Sequence, residues 1–439
     1  MQTIEECAEG LAAGTMTSRA LVEACLARIE EPNSEGSRAF IKVHAEQARA
    51  MADAMDALRR VGRAPSRYAG IPVSLKDLFD IAGEPTPAGS RVLADAPPAT
   101  AHATVVQRML AAGFVPMGRT NMTEFAFSGL GINPHYGTPR SPWDRESARI
   151  PGGSSSGTAV SVSDGMAVAG LGTDTGGSCR IPAAFCGIVG YKPTARRVPI
   201  TGVLPLAPSL DTVGWFARDA SLLATVGEVL LPGDRSSVGG PLLRVEEAWV
   251  NAQPEVAEVL RPQLERLEQL RGRAVGVRLA PEGIDSFYDH FRVVQAEEAW
   301  TVLGDWIETT QPRLGPGVAE RIAGARATDA AAAAPGRAFR RVLQARIRPL
   351  LAGGAVLVYP TSPCPAPLLT AAAAEQEAIR QATVGVTAIA SLCGLPEVSL
   401  PAATVRGAPV GLSFVAAAGR DTGLLAFARE AAGALGLPT

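Results

Sequence analysis

The chain has 439 residues, enough for a large buried core, and its 47% hydrophobic and 19% charged content is that of an ordinary soluble globular protein. Its net charge of −2, with no long block of like charge, argues against a basic face for nucleic acid or an anionic membrane. No apolar run reaches the roughly 18 residues of a membrane span, and the amino terminus has no basic-then-apolar leader, so a cytoplasmic protein is expected.

The first elements read as a helical cover. Thr3 with Glu6 makes a capping box, so a helix is predicted from about residue 4. A second opens near Ser18, where Leu21, Val22, Cys25, Leu26 and Ile29 recur at helical spacing. A third covers about 44 to 61. Ile71 to Asp77 then reads as a strand, with Val73 and Leu75 on one face and Ser74 and Lys76 on the other. Pro72 sits near its start, where a missing N–H is tolerated.

A helix is predicted over Thr104 to Leu110 and a strand over Phe114 to Gly118. The loop from Asn121 to Pro142 gathers Phe125, Phe127, Ser128 and Tyr136 in a chain with only 5% aromatic residues. Such a loop suggests a pocket wall, with plain loop anchoring as the competing reading. Pro151 to Gly157 is a Gly/Ser-rich turn that presents hydroxyls and N–H groups, and a helix follows from Thr158 to about Ser163.

Gly170 to Arg180 comes next. An apolar run, Met166 to Ala169, feeds a turn with glycines at 170, 172, 176 and 177, closing on Ser178. Successive N–H groups in such a turn form an anion-binding nest, and a serine at its lip is a nucleophile beside donors for an oxyanion. Ile181 to Gly187 reads as a buried helix start and Tyr191 to Thr194 as a turn. Ser209 to Arg218 returns toward the core. About 220 to 350 reads as mostly helical, with a weakly patterned run from Asp329 to Pro335. Val356 to Pro360 is a buried strand, and Pro396 to Val415 holds one or two more. No internal repeat or long linker is present.

A hydroxyl nucleophile needs a base, and none of His44, His102, His135 and His290 lies in a setting that suggests a serine–histidine pair. Lysine offers an alternative. Among 41 basic residues it occurs only at Lys42, Lys76 and Lys192. Arginine keeps its proton near neutral pH whereas a buried lysine can lose it, so a site requiring a neutral amine cannot accept the exchange. Lys76, inside an apolar strand, is the candidate. The plainer reading has it reach solvent or pair with Asp77 or Asp80. The six cysteines are scattered without paired ligand spacing, so free thiols in a reducing compartment are expected, with no metal and no cofactor.

Gly152 to Gly157, Gly172 to Ser178 and Arg180 to Ala183, with Pro72 to Asp77 upstream and Ser209 to Gly214 downstream, resemble the signature of the amidase signature family. Tyr359-Pro360-Thr361 and Gly394-Leu395-Pro396 fit the same family. The resemblance implies an α/β fold: a single large domain with a central mixed β-sheet flanked by helices. Residues 1–65 would form its helical cover, 66–220 its catalytic core, and 221–439 its pocket helices and closing strands.

It further implies a Ser–Ser–Lys triad. Ser178 would attack an amide carbonyl, with Ser154, behind a cis peptide after Gly153, relaying its proton to Lys76. The N–H groups of Thr175, Gly176, Gly177 and Ser178 would hold the oxyanion. Phe125, Phe127, Ser128, Tyr136 and Ile181 are the expected substrate contacts. His135 to Arg140, Gly214 to Asp219 and Pro312 to Gly317 look similar to indole-3-acetamide hydrolases and related bacterial amidases. The expected activity is hydrolysis of a small aryl or alkyl carboxamide, releasing ammonia or an amine. The expected partner is that small molecule, with no nucleic acid and no membrane, and a homodimer is one expected assembly. Two alternatives stand beside it: the amidase-like subunit of a tRNA-dependent amidotransferase, and a catalytically silent relative that only binds. Amidotransferase subunits of that kind usually carry a polar residue three places after the nucleophile; Ile181 stands there.

Overall fold

The computed structural model describes residues 4–143 and 145–438, so the Thr3–Glu6 capping box lies outside the described residues. Its frame is a mixed sheet of β1 (Phe40–Val43), β2 (Pro72–Lys76), β3 (Val115–Thr120), β4 (Ala169–Asp174), β5 (Val189–Lys192), β6 (Thr212–Ala217), β7 (Leu242–Val245), β8 (Val275–Val277), β9 (Val356–Pro360), β10 (Glu397–Val405) and β11 (Ala408–Val415). Their order across the sheet is β1-β3-β2-β4-β6-β5-β10-β11-β9-β7-β8. Helices flank it, giving the expected α/β architecture in one domain.

The two-sided burial of β2 follows from its neighbours. It pairs in parallel with β3 and β4, and every residue from Pro72 to Lys76 is buried. Val73 and Leu75 enter the largest apolar cluster, alongside Val213, Trp215 and Leu400. On the other face, Ser161 of the Ser156–Ser163 helix donates to Ser74 at 2.8 Å. Gly170 of β4 permits that close approach, since a Cβ there would meet Thr158 Cγ2 at 2.5 Å and Ser74 Oγ at 2.7 Å. This face therefore stays polar, and Lys76 lies on it.

The amino-terminal helices Ser18–Glu30 and Ala45–Arg60 bury Val22, Cys25, Leu26, Ala48 and Ala52 against Val115 and Met117 of β3. Thr17 caps the first through its side chain. Between 220 and 350 the chain is mostly helical, as expected, and Asp329 supplies the order missing from the weak 329–335 pattern. Its carboxylate caps the Ala330–Leu350 helix at Ala332 N, and Pro335 falls within the early turns.

One expected turn is a strand. Tyr191 and Lys192 belong to β5, hydrogen-bonded between β6 and β10, with Tyr191 opposite Trp215 and their rings 4.6 Å apart. The turn chemistry of Pro193 acts one residue later, ending the strand where its missing N–H could no longer be paired. Six free cysteines are distributed through the chain, Cys393 half-buried and the others buried. No helix among the described residues is long and apolar enough to cross a membrane.

Candidate active site

Lys76 ends β2 with no exposed surface. Its Nζ lies 2.7 Å from Ser154 Oγ and 2.7 Å from Thr173 Oγ1. Neither contact is a counter-ion, and burial pushes the ammonium down from its usual 10.5 to about 7. Asp77 does not pair with it; that carboxylate meets Arg119 Nη1 at 3.4 Å and the Gly89 N–H at 2.9 Å. The Gly153–Ser154 peptide is cis, and Ser155 Oγ donates to Thr173 O at 3.3 Å.

The turn that follows β4 is organised by Asp174. Its carboxylate accepts from the N–H groups of Gly177 and Cys179, each at 2.9 Å, and from two nitrogens of Arg180 at 2.7 and 3.0 Å. Burial would raise this carboxyl, but Arg180 and the N–H donors more than offset it and hold it at about 2. The turn is also fixed from outside. Thr387 donates to Gly176 O at 2.5 Å, and Thr175 Oγ1 donates to Asp211 at 2.5 Å. Ser178 stands at the end of this turn, slightly open to a cavity.

The expected set of four oxyanion donors needs one correction. The Gly177 N–H is committed to Asp174, because its φ of +127° turns the amide toward the carboxylate. The N–H groups of Thr175, Gly176 and Ser178 donate to no protein acceptor among the described residues. They remain free for a ligand. No group of three or more His, Cys, Asp or Glu among the described residues is placed to hold a metal ion.

The cavity over Ser178 encloses about 180 Å³. Phe127, Ser128, Gly176 and Ile181 line it together with Phe291 and Val384. Phe125 and Tyr136 do not. Phe125 packs against Trp306 at 5.6 Å between ring centres, and Tyr136 lies under the Arg91 guanidinium at 5.9 Å. The physical reason is the backbone at Phe125 and Ala126, where φ values of 51° and 59° reverse the chain. The reversal sends Phe125 into the core and brings Phe127 and Ser128 to the cavity. The aromatic loop therefore divides between pocket wall and anchor.

The Amidase family's sequence profile matches residues 20–425. The chain belongs to the Amidase family. Among its relatives, Amidase 1 of Oryza sativa subsp. japonica is 35% identical over 397 residues, spanning 82% of this chain and 89% of the relative. A glutamyl-tRNA(Gln) amidotransferase subunit from Chromohalobacter salexigens is 34% identical over 472 residues, spanning 98% and 96%. A crystal structure of an amidase superposes with a TM-score of 0.88 at 32% identity, covering 98% of each chain.

For this Amidase family member the motif glycines and serines were legible from spacing, whereas the contacts of Thr173, Thr387 and Val384 were not. Thr173 contacts Lys76 as closely as Ser154 does, and nothing but its alternation with Leu171 on β4 hints at it. Thr387 and Val384 belong to the Ala373–Cys393 helix, far along the chain and outside any motif. Their positions follow from tertiary packing alone.

Proposed function

We propose that the chain is a stand-alone amidase that cleaves the C–N bond of a small carboxamide through an acyl-enzyme on Ser178. The observation that carries this reading is the 2.7 Å contact between Ser154 Oγ and an amine whose pKa burial lowers to about 7, so that a substantial fraction of it is uncharged at neutral pH. Neutral Lys76 accepts a proton from Ser154 as Ser154 accepts one from Ser178. The Ser178 Oγ–carbon bond forms, and the carbonyl π electrons move to oxygen. The N–H groups of Thr175, Gly176 and Ser178 hold that oxyanion; each such donor contributes about 3–4 kcal/mol in a comparable hole. Collapse breaks the C–N bond, and the relay returns its proton to the departing amine. A water molecule, deprotonated by the same relay, releases the acid. Thr173 holds the lysine by its second contact.

Phe127, Ser128 and Ile181, with Phe291 and Val384, form the acyl pocket in this reading, and its apolar walls suit an aryl or alkyl group. The 66–220 segment supplies the chemistry, and 221–439 much of the pocket. We place the enzyme in the cytoplasm, consistent with six free thiols. The test is ammonia release from primary amides and anilides. Ser178→Ala and Lys76→Ala are expected to lose activity by roughly 10⁴-fold or more, and equal rates in all three proteins would end the reading.

A second reading, as the amidase-like subunit of an amidotransferase, is favoured by the full-length similarity to such a protein. Ile181, apolar and in the cavity wall, weighs against it. Co-purification with two partner chains would decide for it.

A further inference from the structure

The cavity over Ser178 is polarised along its length. Near the nucleophile its wall is Phe127, Ile181, Phe291 and Val384; elsewhere it carries Arg292, Arg321 and Arg380, and no acidic side chain among the described residues lines it. Beyond it lies a second, wider cavity of about 600 Å³, and Ser128, Tyr288, Arg321 and Arg380 line both. These arginines stand where the inner space meets the outer.

The Ala373–Cys393 helix supplies the ruler. Thr387 is bonded to Gly176 O, Val384 lines the cavity one turn earlier, and Arg380 lies one turn earlier again. Seven residues at 1.5 Å each separate Thr387 from Arg380, about 10 Å along the axis. Helical side chains lean toward the amino terminus, so the Arg380 head lies beyond that distance from the turn.

The charged lining of the outer cavity is balanced in number, Arg321 and Arg380 against Glu320 and Glu377, but its hydrogen-bond donors are not all used. Glu377 accepts from Arg380 through Nε at 2.8 Å and Nη2 at 2.6 Å, and from Arg321 Nη2 at 3.0 Å. One carboxylate is thus shared between two guanidinium groups. Glu320 also borders the outer cavity and reaches back to the Gly317 N–H. Burial, and next the charge of Arg380, push the Arg321 guanidinium down from its usual value, while against the pull of burial Glu377 holds the Arg380 guanidinium above its own. Arg380 Nη1 and Arg321 Nε make no hydrogen bond among the described residues. The Tyr288 hydroxyl accepts from Arg380 at 2.6 Å and keeps its own proton to donate.

We propose that the substrate is an amide whose acyl part ends in a carboxylate, received by Arg380, Arg321 and Tyr288 about 10 Å from the nucleophile turn. Monoamides of linear or aromatic dicarboxylic acids have this chemistry: an amide at one end, an apolar middle for the aromatic wall, and an anion at the other. A planar guanidinium suits a carboxylate, and a charge-assisted hydrogen bond here is removed from bulk water. This inference rests on the amidase reading and narrows it to a substrate class.

The experiment compares adipamate, suberamate and sebacamate with their methyl esters, which keep shape and lose charge. For the acid of best-fitting length, wild type is expected to favour the anion by about 10–100-fold in kcat/KM. Arg380→Gln and Arg321→Gln are expected to bring that ratio toward one, mainly by raising KM for the anion, and Arg380→Lys to recover part of it. Thermal unfolding of each variant confirms folding. Binding to Ser178→Ala, measured by calorimetry, gives the same comparison without turnover: the anion binds more tightly than its ester, and Arg380→Gln in that background removes the difference. Equal binding and turnover of acid and ester, or a ratio unmoved by the arginine variants, overturns the proposal and leaves the amidase reading standing. Absence of turnover on every amide, with no fluorophosphonate labelling of Ser178, ends the amidase reading, and the calorimetric comparison still decides whether an anion is recognised.

Discussion

A lysine surrounded by hydroxyls and apolar strands has a protonation state set by solvent exclusion. Lys76 has two hydroxyl partners and no carboxylate bonded to it, and burial outweighs the pull of Asp174 and Asp211, so its amine titrates at about 7. A lowered pKa means the neutral, proton-accepting form dominates above that value and is lost as pH falls through it. The kcat/KM for a neutral amide is therefore expected to fall about tenfold per unit below pH 7, with an apparent pKa near 7. Lys76→Arg preserves the positive charge and is expected to be inactive across the whole range, because guanidinium does not give up its proton. A flat profile between pH 5 and 8 would remove lysine from the relay. Lys76 was legible because lysine is so scarce here and because it interrupts an apolar strand. Ser154 and Ser178 were legible in their glycine settings. The commitment of the Gly177 N–H to Asp174 was not, since motif spacing records which amides are near and not which are already bonded.

Elements distant in sequence hold the nucleophile turn, and the Ala373–Cys393 helix is the clearest case. Thr387 sits two-thirds along it and bonds Gly176 O at 2.5 Å, while Phe291 closes on Gly176 so tightly that a Cβ there would meet its Cζ at 2.5 Å. The Gly176 amide is a proposed oxyanion donor, so a bond to its carbonyl orients the residue that donates. Thr387→Val keeps the shape and leaves that buried carbonyl without its hydroxyl partner, at a cost of about 1–3 kcal/mol. The expected result is a roughly tenfold lower kcat with little change in KM, and Thr387→Ser is expected to recover it; single-turnover kinetics separate the chemical step from release. Local pattern revealed the elements whose periodicity stands alone, such as β2 and the Ser18–Glu30 helix. It misplaced the end of β5, where Tyr191 and Lys192 read as part of the turn made by Pro193 and Thr194 until β6 and β10 supply strand partners on both sides. The short β1, β7 and β8 have three or four residues each, too few for a period to register.

Across the whole molecule, the same turn ties the two halves of the sheet. Arg180 bonds Asp174 of β4, Glu397 of β10 at 2.6 Å, and Thr387 O at 2.7 Å; Tyr359 of β9 donates to Glu397 at 3.0 Å. Burying so many ionisable groups makes stability depend on pH in a direction that can be worked out. Burial holds Lys76 at about 7, and burial followed by the charge of Arg180 holds Lys192 at about 8, against 10.5 for an ordinary lysine. From about pH 7 upward the unfolded chain carries more protons on these two groups than the folded one, so stability rises with pH. Cysteine acts in reverse. Burial pushes Cys25 and Cys393 up to about 12 and Cys364 to about 11, and raises Cys7, Cys179 and Cys186 as well, from 9.0. Above about pH 9 the unfolded thiols ionise while the folded ones stay protonated, and stability falls. Six thiols outnumber two lysines, so urea midpoints in reducing buffer are expected to climb from pH 7, peak between about 8 and 9, and decline beyond. Lys192→Met is expected to flatten the rising limb and leave the decline in place. A midpoint that falls steadily from pH 7 would mean that these lysines are charged inside the folded protein, and the neutral base at the active site would go with them.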